Sequence, residues 1–113
     1  MELINVYGKE VVTISTRLKD ENIMTLACEL PLFLLKRLKE QSESYPRTAD
    51  GYFYVPHKEI STELQYSMYE VRKAIELLEI VGALKTKHIF KNKYMYITEQ
   101  ATNFLQERNY YEG

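Results

Sequence analysis

The sequence predicts an α+β domain: three helices forming a core, a β-hairpin after them, a second β-hairpin at the N-terminus and a helix at the C-terminus. Three observations carry this reading. Val71, Ala74, Ile75 and Leu78 recur at helical spacing behind Ser67 and Glu70, a capping-box pattern that marks a helix start. Ile60 and Leu64, four apart, give a shorter helix just before it. Leu84 to Phe90 and Tyr94 to Ile97 then read as two strands around Lys91–Asn92–Lys93. A chain of 113 residues fits one domain, 1–113. Within it we expect a β extension at 1–22, the core at 31–97, and a C-terminal helix and tail at 98–113.

Taken in order, Leu3 to Tyr7 and Val11 to Ile14 read as short strands around Gly8–Lys9, with Gly8 supplying the positive φ of a tight turn. Arg17 to Asn22 is polar and reads as a loop. Ile23 to Cys28 fits a strand or the start of a helix. Pro31 suits the first turn of helix 1, where its missing N–H costs nothing. Leu32, Leu35 and Leu38 form the apolar stripe of that helix. Ser42 to Gly51 is a loop, and Tyr52 to Val55 a short strand stopped by Pro56. Helix 2 covers Lys58 to Gln65. Helix 3 runs from Ser67 to Gly82, a residue suited to the position just past a helix end. Thr98 caps the last helix, which carries Ala101, Phe104 and Leu105.

Composition narrows the function classes. Charged residues make up 27% and hydrophobic ones 45%, ordinary globular usage. The apolar stretch Leu30 to Leu35 is too short to cross a bilayer, and no signal-peptide pattern is evident, so a cytoplasmic protein is expected. Cys28 is the one cysteine, and His57 and His88 are too far apart to suggest zinc. No cofactor is expected. With no Gly-rich phosphate loop and no recognisable nucleophile–base set, neither is an enzyme. The net charge of −1 means that any nucleic-acid partner must be met by locally concentrated charge.

The order of strand, short helix, capped turn, longer helix and basic hairpin over residues 52–97 resembles the winged helix-turn-helix family. Ile60–Ser61–Thr62–Glu63–Leu64, Ser67 to Ile75, Leu78–Glu79 and Gly82–Ala83–Leu84 carry the likeness. The resemblance implies that helix 3 enters the major groove of double-stranded DNA while the hairpin, or wing, lies along the backbone. Tyr69, Arg72 and Lys73 are then the groove-facing candidates, with Ser67 near a phosphate. Arg72 or Lys73 has donors that match guanine. The alternative is that both simply pair with Glu76 one turn on.

On the wing, Lys85, Lys87, Lys91 and Lys93 fall close together, with His88 and Asn92 among them and no acidic residue between. Such a cluster suits phosphate neutralisation, although lysines also guard exposed strand edges. Glu70 stands against the DNA reading unless it caps helix 3. His57 is a phosphate donor or an ordinary loop residue. Tyr52, Tyr54, Tyr94 and Tyr96 pack on or beside the sheet, or form a base-stacking surface.

Phe104 and Leu105 suggest a homodimer through the terminal helix. The expected function is a homodimeric transcriptional regulator reading paired half-sites. The alternatives are a winged-helix protein-interaction module and a plasmid or phage replication or partition protein.

Overall fold

Asp20 opens the long first helix. In the computed structural model, which describes residues 4–6, 9–11 and 20–107, its carboxylate accepts from the backbone N–H of Asn22 at 2.8 Å and of Ile23 at 3.3 Å. Helix α1 therefore spans Glu21–Glu40. The expected loop over 17–22 is corrected at its described end, and Ile23 to Cys28 is helix. Pro31 is also corrected: it stands buried inside α1, not in its first turn. Ile23, Leu26, Ala27, Leu30 and Leu34 fall at i, i+3, i+4, i+7 and i+11, and this stripe is buried against helix α3, Met68–Ile80. The core thus begins about ten residues before the expected boundary at 31.

A 3-10 turn at Ser42–Ser44 ends the run. The expected strand at Tyr52 to Val55 is reduced to bridges at Phe53. Its N–H donates to the Met95 carbonyl at 2.9 Å, and the Met95 N–H returns at 2.8 Å. Neighbouring Tyr54 turns away to bond the Pro46 carbonyl, so the ladder does not extend.

Helix α2 spans His57–Leu64 and ends at Gln65 in the left-handed conformation, which reverses the chain into α3. At the start of α3, Ser67 Oγ accepts from the Glu70 N–H at 3.1 Å and Glu70 returns to the Ser67 N–H at 2.9 Å. Gly82, φ +81°, ends the turn after α3.

Strands β3 (Leu84–Ile89) and β4 (Asn92–Ile97) pair antiparallel, Leu84 opposite Ile97 and Ile89 opposite Asn92. The turn is therefore Phe90–Lys91, a correction to the expected Lys91–Asn92–Lys93. Helix α4, Glu99–Glu107, is tied back by Thr98, whose hydroxyl donates to the Gly82 carbonyl at 2.7 Å. Ala101 and Leu105 are buried in the chain's own core and Phe104 packs against it, so Leu105 is not left for the expected dimer contact.

At the N-terminus, strands β1 (Ile4–Val6) and β2 (Lys9–Val11) pair antiparallel, Val6 opposite Lys9. Lys9 is thus a strand residue and not part of the turn. The rest of the expected hairpin, at Leu3, Tyr7, Gly8 and Val12 to Ile14, lies outside the described residues, as does the tail after residue 107. The described residues form an α+β arrangement with four helices, and none of these helices is long and apolar enough to cross a membrane.

Candidate nucleic-acid interface

Three elements converge on one open groove of about 720 Å³: the N-terminal end of α2, one flank of α3 and the tip half of the β3–β4 hairpin. The core creates it. Val71, Ala74, Ile75, Leu77 and Leu78 bury the inner face of α3, which leaves Met68, Arg72, Glu76 and Glu79 along its side. Leu84, Met95 and Ile97 hold the base of the hairpin on the core, while its outer half runs past α3.

The groove is lined by Lys58, Arg72, Lys73, Lys91 and Lys93 against Glu76 and Glu79, five cations to two carboxylates. Lys93 meets Glu79 at 2.8 Å and Lys73 meets Glu76 at 3.3 Å. Lys58, Arg72 and Lys91 are exposed and form no ion pair among the described residues. Three exposed cations are therefore not engaged by a carboxylate among the described residues. Lys73 takes the pairing with Glu76 that was the bland alternative for both bases of α3, and Arg72 does not. Lys73 also lies over the Tyr69 ring, 5.6 Å from its centre. Tyr69 is exposed, one turn before Lys73 on the outer stripe of α3.

His57 also lines the groove, at the first position of α2. Its Nε2 is buried without a hydrogen-bond partner. Burial holds its pKa below the usual histidine range, and the Lys93 and Arg72 charges push it the same way. His88, exposed on β3, stands opposite Lys93 and completes the groove wall.

Strand alternation divides the expected wing cluster. Lys93 and His88 share the face that meets α3, whereas Lys85 and Lys87 lie on the other face with Tyr94 and Tyr96. Lys87 is held there by Asp50, Nζ to carboxylate at 2.8 Å, and by the Tyr52 ring, 4.3 Å from its centre. Lys85 is exposed on that face, opposite Tyr96. Of the four lysines, Lys91 alone occupies the turn, with Asn92 exposed beside it. The four tyrosines pair across the same face, Tyr54 with Tyr94 at 5.6 Å and Tyr52 with Tyr96 at 5.4 Å, so they pack mainly on each other.

Glu70, the expected obstacle, is spent on the capping box. Its bond to the Ser67 N–H holds the carboxyl below the usual range. Ser67, expected near a phosphate, is exposed at the start of α3, with its hydroxyl engaged by the Glu70 N–H. Lys58 was missed in the sequence. Lys58 lies two residues before the core-facing Ile60, on the side of α2 away from the core, which the apolar pattern alone does not tie to α3. Among the described residues no cluster of acidic, histidine or cysteine side chains is arranged to hold a metal. Comparison of the chain with protein-family models, with curated proteins and with solved structures finds no match.

Proposed function

We propose that this protein binds double-stranded DNA in the manner of a winged helix-turn-helix domain, with α3 in the major groove and the β3–β4 hairpin against the backbone. One observation carries the reading. The groove between α3 and the hairpin holds three exposed, unpaired cations, while both of its carboxylates are engaged by lysines. A chain of net charge −1 thus concentrates free positive charge on one side. Tyr69, Arg72 and Lys73 supply donors beside it, and Arg72 is the residue best placed to meet a base edge, since no ion pair competes for its guanidinium.

A protein partner on α3 is the second reading. Ile80, Tyr69 and Met68 are exposed along that helix, apolar surface that DNA phosphates do not need.

Binding of a random-sequence duplex, followed as salt is raised, tests the proposal. Three neutralised phosphates predict that log affinity falls against log salt with a slope of about −2.7 or steeper. A duplex that fails to bind at low salt contradicts the DNA reading and leaves the protein partner. Enrichment of a palindrome from random duplexes would add the homodimer that the regulator reading requires.

A further inference from the structure

Phe90 at the hairpin tip is 98% exposed. It also has φ +56°, the left-handed region that glycine or asparagine normally takes in a two-residue hairpin turn. A bulky side chain there is conformationally costly, and an exposed ring gains no packing in return. Phe90 therefore does nothing for the fold that a glycine would not do better. Its neighbours are Lys91 and Asn92, both exposed, and His88. One ring offers about 150–250 Å², short of the several hundred Å² of a protein-docking patch. Flanked by Lys91, Asn92 and His88, it matches a partner whose apolar interior lies behind a polyanionic surface.

We infer that Phe90 is a wedge that inserts between stacked bases of duplex DNA, with Lys91 on the adjacent phosphate and Asn92 at the base edges. Apolar side chains presented by basic elements enter the minor groove this way and kink the duplex. Pyrimidine–purine steps unstack most easily, so TA and CA steps are the favoured sites. The inference rests on the duplex-binding reading above and adds to it the deformation of the DNA.

The test uses the full chain, Phe90→Gly and Phe90→Leu, with a duplex in which adenines at TA steps are replaced by 2-aminopurine. That base brightens when it is unstacked. The parent and Phe90→Leu should raise the fluorescence on binding. Phe90→Gly should abolish the rise and weaken binding about tenfold, within the range of a lost base–aromatic contact. It should melt no lower than the parent, because glycine relieves the positive φ. A duplex that the parent binds without any rise, and that Phe90→Gly binds equally well, overturns the wedge and leaves the DNA reading intact. A parent that does not bind the duplex overturns both. A lowered melting temperature in Phe90→Gly would make the ring a folding residue and overturn the wedge. Binding to phosphatidylserine vesicles that depends on Phe90, with no rise on the duplex, would reassign the tip to a membrane and overturn it as well.

Discussion

Replacing Lys58, Arg72 and Lys91 together by alanine is expected to flatten the plot of log duplex affinity against log salt by about 2.7 units. Each is exposed, lines the groove and forms no ion pair among the described residues, so each is free to displace a condensed counterion. Between 50 and 200 mM salt the parent should then lose about fortyfold more affinity than the variant. The fold should survive, since exposed side chains outside the core usually change stability by less than about 0.5 kcal/mol. Removing Lys93 instead should cost more than its own contact. It would leave the Glu79 carboxylate uncompensated in the groove, facing the phosphates. A triple variant that melts like the parent and keeps its salt slope would take the groove out of DNA binding.

The second large effect is on stability. Ile75 is 1% exposed at the centre of the inner face of α3, within the cluster that joins α1, α3, the hairpin and α4. Ile75→Ala removes three carbons where surrounding helices cannot fully collapse, and should cost about 2–5 kcal/mol in denaturant unfolding. Because α3 carries Tyr69, Arg72 and Lys73, affinity should fall in step with the folded fraction. A change below about 1 kcal/mol, the range of a near-surface apolar site, would mean that α1 and α3 do not pack as described.

Helix α3 was readable in full, because its capping box and its 3.6-residue stripe are local signals that tertiary packing only reinforces. The same capping box disposes of Glu70 as an obstacle, a role open to inference from the spacing alone. The start of α1 was obscured by Pro31. A proline reads as a first-turn residue, but in this helix burial of Ile23, Leu26, Leu30 and Leu34 outweighs the one backbone hydrogen bond that Pro31 cannot make. Asp20 followed by that stripe was the available signal.

The hairpin tip misled for a different reason. Asn92 is the residue a turn would choose, yet Phe90 takes the positive φ. Moving the turn changes which residues oppose each other and hence which face each side chain joins. It places Lys93 toward α3 and Glu79, and it commits Lys85 and Lys87 to the tyrosine face. A lysine run that looks continuous in sequence is thus divided between two surfaces. Charge pairing such as Lys87 with Asp50, 37 residues apart, has no local signature.

On the proposed reading, duplex DNA binds in the groove between α3 and the β3–β4 hairpin. That placement is tested most directly by following backbone amide and arginine side-chain NMR signals of the whole chain as a short duplex is added. The largest shifts are expected at His57, Lys58, Tyr69, Arg72 and Lys73 and at His88 to Asn92, with the exposed residues of α1 and α4 unmoved. Shifts centred on α1 or α4, or none at duplex concentrations well above those of ordinary non-specific binding, would contradict it.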